Sequence, residues 1–130
     1  PSRKTFLAEL SIESPPTPTI WLHSDAGNNH EARDESKLVN AAEVFGTPKP
    51  ERLLARVLAL ATNPGDLVLD SFLGSGTTGV MAHALKRRFI GTEFSEDNAK
   101  SAVARMKHGP IRLGAAKGQT TAAFRPTTRS

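Results

Sequence analysis

A chain of 130 residues with no cysteine, a net charge of +4 and an isoelectric point near 9.9 has room for about one domain and for no disulfide framework or thiolate metal site. No run approaches the roughly 18 apolar residues of a membrane span, and no apolar signal-peptide core opens the sequence, so the expected setting is soluble, cytoplasmic and without a membrane partner. The basic balance does not by itself mark a nucleic-acid binder: through Asp97 the chain carries ten basic and all thirteen acidic side chains, and after it seven basic and no acidic ones.

Residues 1–40 are the least regular part. "PSRKTFLAELSI" holds a short apolar alternation of strand type, and "ESPPTPT" breaks it, because each proline fixes φ and removes a backbone donor. The "HSDAGNNHEARDESK" that follows is polar throughout, and the expectation is an irregular connector with at most one strand or short helix.

"GTPKPERLLARVLALATNPGD" predicts a helix. Pro50 suits a first helical position and Glu51 the positive helix end, while Leu53, Leu54, Val57, Leu58 and Ala61 recur on one face. Asn63, Pro64 and Gly65 stop it. "LVLD" at 67–70 reads as a parallel strand covered on both faces. Beyond a glycine turn, Val80, Met81, Ala84 and Leu85 mark a second helix, and a second strand is predicted over 89–93. Ser95 is the expected N-cap of a third helix with Glu96 and Asp97 in its first turn and Ala99, Ala102, Val103 and Met106 as its buried stripe. This order is half of a doubly wound α/β fold, in which neighbouring parallel strands are joined by a right-handed crossover. Residues 109–130, rich in Gly, Thr, Ala and Arg, bury too little to offset their ordering entropy and are expected to form a disordered basic tail.

The turn "GSGTTG" at 74–79 spells G-x-G-x-x-G between a predicted strand and a helix, and the acid Glu93 follows at the end of the next strand, where a ribose partner belongs. A glycine triplet alone also serves ordinary tight turns; the whole strand, triplet, helix, strand and acid series is the informative unit. Asp70, ending the first strand, argues against a dinucleotide, because a diphosphate on a helix N-terminus wants amide donors and no adjacent anion. A carboxylate there suits the ammonium of an amino acid. S-adenosylmethionine offers that ammonium, a ribose for Glu93 and no phosphate, and glycines let the backbone approach its methionyl part.

"DSFLGSGTT" also resembles the cofactor motif of the amino-group DNA methyltransferases, Asp-Pro-Phe-x-Gly-Ser-Gly-Thr-Thr, with Ser71 in place of the proline. "FGTPKPERLLARVL" resembles the Thr-x-Lys-Pro segment that precedes this motif in beta-class members. Together with "GNNHEARDE" and "LATNPGDLVLDSFLGSGTT", the likeness is greatest to the modification subunits of type III restriction-modification systems and their phage relatives, over roughly residues 20–107. The resemblance implies a Rossmann-like S-adenosylmethionine-dependent methyltransferase fold, here a partial parallel sheet flanked by helices. It places Asp70, Phe72, Gly74, Gly76 and Thr77 along the methionyl side, Glu93 on the ribose, and Thr47, Pro48 and Lys49 near the methionine carboxylate. On this reading residues 1–40 are a connector at the end of a target-recognition region, 41–108 the cofactor-binding α/β domain and 109–130 the tail.

Methyl transfer to an exocyclic amine needs acceptors for the developing positive charge. The family uses an Asp/Asn-Pro-Pro-Tyr/Phe tetrapeptide whose aromatic ring stacks on the flipped base. This chain has no tyrosine, and its Pro-Pro pair lies in Ser-Pro-Pro-Thr at 14–17 with neither acid nor aromatic beside it, so no catalytic residue is assigned. The expectation is the C-terminal, cofactor-binding part of an adenine-N6 methyltransferase acting on double-stranded DNA, inactive alone, whose partners would be a restriction subunit or another copy of the modification subunit. Two alternatives stand beside it: a non-catalytic S-adenosylmethionine-binding remnant or regulatory piece, and an NAD-binding half-domain. His23, Asp25, His30, Glu31 and Asp34 match no zinc spacing, and no metal is expected. Trp21 is expected in the core or at an interface, with base stacking the alternative.

Overall fold

The computed structural model describes residues 17–39 and 45–111. Two helices, α1 (His23–Ala26) and α2 (Asn29–Val39), lead to α3 (Glu51–Ala61), β1 (Leu67–Asp70), α4 (Thr77–Ala84), β2 (Arg88–Gly91) and α5 (Glu96–His108). The strands pair in parallel, with Leu67 opposite Arg88, Val68 opposite Phe89, Leu69 opposite Ile90 and Asp70 opposite Gly91, and α4 forms the crossover. The β-α-β unit expected from the sequence is therefore present. β2 ends two residues earlier than expected, at Gly91, so Glu93 lies just past it.

The core is made where α3 and α4 meet the sheet. Ala55, Leu58, Val80, Met81 and Ala82 are buried together, with Leu54, Val68, Leu85, Phe89 and Met106 packed around them. This gathers the apolar residues of helical and strand spacing into one cluster, the dominant favourable contribution to folding. The details differ from the expected stripes. On α3 the buried residues are Glu51, Ala55 and Leu58, whereas Val57 and Ala61 are exposed, because the helix is rotated to bring the Glu51 side toward α5. On α5 the buried residues are Ala102 and Arg105, while Val103 is 45% exposed. Ser95 caps α5 as expected, its hydroxyl accepting from Asn98 N–H at 3.4 Å.

The sheet is covered on one face only, contrary to the expectation for "LVLD". Val68 and Phe89 point into the core, while Leu67, Leu69 and Ile90, on the opposite side of the pleat, are 51–65% exposed. A continuous apolar run specifies two buried faces, and within the described residues only one is occupied.

Residues 29–39 form a regular helix, within the stretch expected to be a connector carrying one strand or short helix. Apart from Ala32, Leu38 and Val39, α2 is polar, too sparse in apolar residues to announce itself by an apolar stripe. It is instead held by polar anchors: Asn28 Oδ1 accepts from Glu31 N–H at 3.0 Å, Glu31 pairs with Arg52 at 2.6 Å, and Glu35 Oε2 accepts from Glu51 N–H at 3.0 Å. α1 packs on α3 and α2 on α5, so residues 17–39 join the same packed unit. The apolar alternation near the N-terminus and the basic residues after Ile111 lie outside the described residues. Among the described residues no helix is long and apolar enough to cross a membrane.

Candidate functional site

The turn between β1 and α4 is pinned by the exit of β2. Thr92 N–H donates to Asp70 O at 2.9 Å, Leu73 N–H to Thr92 O at 2.9 Å, and Thr92 Oγ1 to Ser71 O at 2.8 Å. Glu93 completes the attachment by accepting from Gly74 N–H at 2.8 Å through Oε2 and from Ser95 N–H at 3.0 Å through Oε1. Backbone donors on both oxygens, Ser95 first and Gly74 second, hold the Glu93 carboxyl below the usual carboxylate range.

Within the turn Gly74 and Gly76 adopt φ of +54° and +81°, conformations that an L side chain enters only with strain. Each also lacks room. A Cβ on Gly74 would lie 2.8 Å from the Phe45 ring, and one on Gly76 would lie 3.0 Å from the Cα of Ala102 in α5. Ser75 and Thr77, both buried, exchange a hydroxyl hydrogen bond at 3.0 Å. Asp70 Oδ1 accepts from Phe72 N–H at 3.1 Å, which fixes the carboxylate at the C-terminal end of β1.

These groups border a pocket of about 200 Å³ lined by Phe45, Thr47, Lys49, Asp70, Phe72 and Gly74, with Leu73, Ser75, Thr77 and Thr78 completing the wall. Five expected residues of the methionyl and carboxylate sides, Asp70, Phe72, Gly74, Thr77 and Lys49, are thus brought together, and Thr47 with them. The other three stand behind. Gly76 is backed against Ala102, Pro48 is buried beneath its neighbours, and Glu93 acts on the turn through Gly74 N–H. Phe72 is 90% exposed at the pocket mouth, so it is not a core residue. Phe45, whose ring lies against Gly74, was absent from the expected site; the signal for it was its place two residues ahead of Thr47 in the segment that crosses the turn.

The segment 45–49 reaches the turn because Pro48 and Pro50 are both buried and Glu51 then enters α3. Lys49 Nζ donates to Thr47 O at 3.4 Å, keeping its ammonium on the pocket side of the segment's own backbone. The site therefore sets a carboxylate and an ammonium in one concavity with a glycine turn beside them. Among the described residues no group of His, Asp or Glu forms a metal cluster. Trp21, ahead of α1, is half-buried, with the Arg56 guanidinium of α3 5.0 Å above its ring in a cation–π contact.

Comparison with known proteins follows the same residues. The family model described as DNA methylase, for the N6/N4 group, matches residues 3–104. The type II methyltransferase M1.MboII of Moraxella bovis is 37% identical over 83 residues, 64% of this chain and 30% of its own length. The DNA adenine methyltransferase YhdJ of Escherichia coli (strain K12) is 45% identical over 69 residues, 53% of this chain and 24% of its own. The type II methyltransferase M2.DpnII of Streptococcus pneumoniae is 49% identical over 61 residues, 47% and 23% respectively. The chain spans less than a third of the length of these curated relatives. Among solved structures, M1.HpyAVI is 40% identical over 44% of this chain and 32% of its own, with a TM-score of 0.43, and its SAM complex is 43% identical over 43% and 28%, with a TM-score of 0.42. The curated relatives carry type II and adenine-methyltransferase names. With its glycine turn, its preceding Thr-Pro-Lys segment and a family match over most of its length, the chain belongs to the N6-adenine/N4-cytosine DNA methyltransferase family.

Proposed function

We propose that this chain binds S-adenosylmethionine and is the cofactor-binding part of a site-specific DNA methyltransferase that methylates adenine at N6. One observation carries the reading: Asp70 at the end of β1 and Lys49 ahead of α3 line the same pocket. A carboxylate and an ammonium in one concavity complement the ammonium and carboxylate of an amino-acid tail. A diphosphate would meet the Asp70 charge at close range, which disfavours the NAD alternative. The pocket falls short of the ~300–1,000 Å³ of typical small-molecule sites, a volume that suits the amino-acid end of the cofactor.

Bound S-adenosylmethionine supplies an electrophilic methyl group; the residues of this chain bind and orient. Asp70 accepts from the ammonium, while Lys49 and the Thr47 hydroxyl face the carboxylate. The narrow turn keeps Gly74 free of any side chain, so the backbone can come close to the ligand. Glu93 stays ionised, held by the Ser95 and Gly74 amides with further donors from Asn98 and Phe94, and its carboxylate is the proposed acceptor for a ribose hydroxyl.

The assignment to adenine rests on the printed name of the Escherichia coli relative and on the motif likeness. Double-stranded DNA is the proposed substrate, and a restriction subunit or a second modification subunit the proposed partner. The sequence holds no Asp/Asn-Pro-Pro-Tyr/Phe tetrapeptide, so this chain by itself transfers no methyl group to DNA. The same absence favours a second reading, a piece that binds the cofactor and catalyses nothing.

Calorimetric titration with S-adenosylhomocysteine and with NAD tests the proposal. Adenosylhomocysteine binds, NAD does not, and Asp70→Ala abolishes the adenosylhomocysteine signal. Tighter NAD binding, or unchanged affinity in the Asp70→Ala chain, overturns it. Methyl transfer to duplex DNA by the isolated chain would refute both its predicted inactivity and the non-catalytic reading.

A further inference from the structure

Three ionisable side chains meet where α2, α3 and α5 converge, and the site described above uses none of them. Glu51, the first residue of α3, is fully buried; Arg105 of α5 is 2% exposed and Glu35 of α2 is 6% exposed. Arg105 Nη2 lies 3.3 Å from Glu51 Oε1 and 3.7 Å from Glu35 Oε2. Glu35 Oε2 accepts from Glu51 N–H at 3.0 Å, and Glu51 accepts from Ile111 N–H, just beyond α5, at 3.1 Å and 3.3 Å. Arg105 Nε and Nη1 are buried with no hydrogen-bond partner.

Such a cluster is a poor stabiliser. Withdrawing ions from water costs several kcal/mol each, and apolar replacements of similar volume are often as stable or more so. The unpaired donors on Arg105 add to that cost. What the cluster does instead is define a distance. Ala102, one turn before Arg105 on α5, backs Gly76 from behind the glycine turn that walls one side of the pocket, and Arg105 grips Glu51, two residues after Lys49 on the other wall. A single rigid helix thus bears on both walls, although 25 residues of chain separate Lys49 from Gly74.

We propose that Glu51 and Arg105 are positioning residues for the cofactor pocket, and that their buried pair sets the separation between the Lys49 segment and the glycine turn. The inference rests on the cofactor reading above and deepens it. A displacement of about 1 Å is enough to matter, since misplacement on that scale costs binding and catalytic groups up to about a hundredfold.

The test is a double-mutant cycle in the full chain with Glu51→Met, Arg105→Met and the two combined, followed by urea unfolding and adenosylhomocysteine titration at pH 6. Each single variant leaves the other buried charge without its 3.3 Å partner and is expected to lose stability. The double variant, which removes both charges of the pair, regains it and keeps the test alive if the singles fail to fold. A merely structural pair would restore affinity together with stability. The positioning role predicts that the folded double variant still binds adenosylhomocysteine about tenfold or more weakly than the parent, with the Gly74 and Gly76 amide resonances shifted in the ligand-free protein. Parental affinity in the folded double variant overturns the proposal. If the parent chain itself does not bind adenosylhomocysteine, the cofactor reading fails, and unmoved glycine amides in the double variant then overturn the positioning claim on their own.

Discussion

Glu93 and Gly74 are joined by a 2.8 Å hydrogen bond from the glycine amide to Glu93 Oε2, across 19 residues of chain, while Glu93 Oε1 takes the Ser95 amide at 3.0 Å. One carboxylate thereby ties the glycine turn to the entry of α5. Glu93→Ala is expected to lower adenosylhomocysteine affinity by about tenfold or more by releasing the turn, and Glu93→Gln, which keeps one acceptor, by less. Because the folded carboxyl sits below its ordinary value of 4.5, its contribution is present above about pH 4.5 and is lost as the pH falls through the lower folded value. Protection of the Gly74 amide from exchange, relative to its intrinsic rate at each pH, should fall only below that range, and Glu93→Gln should remove the transition.

Glu35 titrates with the opposite sign. Burial pushes its carboxyl up to about 7, with Glu51 and Glu31 adding to the rise and the Glu51 amide and Arg105 opposing it. Arg52, paired with Glu31, completes the charged surroundings. The native protein therefore holds a proton that the unfolded chain has released, so the Glu35 contribution is complete below about pH 4.5 and is lost as the pH rises through 7. Urea unfolding should find Glu35→Gln close to the parent at pH 5 and more stable at pH 8, by up to about 3 kcal/mol. Equal stability differences at the two pH values would contradict this.

The two positive-φ glycines of the turn differ in what surrounds them. Gly76→Ala places a Cβ 3.0 Å from the Ala102 backbone, which cannot yield without moving α5, so a loss of about 2–4 kcal/mol is expected from strain and overpacking together. Gly74→Ala meets only the outer edge of the Phe45 ring at 2.8 Å, and about 1–2 kcal/mol of backbone strain should dominate. Combining Gly74→Ala with Phe45→Ala tests the distinction by thermal unfolding. The steric part should be relieved and the strain part retained.

The open sheet face predicts solution behaviour. Leu67, Leu69 and Ile90 present an apolar surface, and Phe72 and Phe94 are 90% and fully exposed. Exposed apolar patches of this kind promote association. Replacing Leu69 and Ile90 by Thr should reduce self-association in sedimentation experiments and weaken anilinonaphthalene-sulfonate fluorescence. Stability should change by no more than about 0.5 kcal/mol per site, since these side chains bury little within the described residues.

The β-α-β unit, the Ser95 cap and the identity of the glycine turn were all legible in the sequence, because each depends on neighbours within a few residues: an apolar run, a left-handed φ that only glycine adopts cheaply, a hydroxyl three residues before an amide. Asp70 and Lys49 were legible as candidates through motif spacing, but only folding set them in one pocket. The tertiary structure alone decided that Glu35, Glu51 and Arg105 would meet. Their partners lie 16 and 54 residues apart, and the local pattern of a charged residue predicts solvent, not burial. The place and length of α2 escaped recognition for the same reason, since what holds it is ion pairing to α3 and α5 and not an apolar stripe of its own. Short-range stereochemistry is written along the chain, whereas the desolvation of a charge depends on which distant element arrives to cover it.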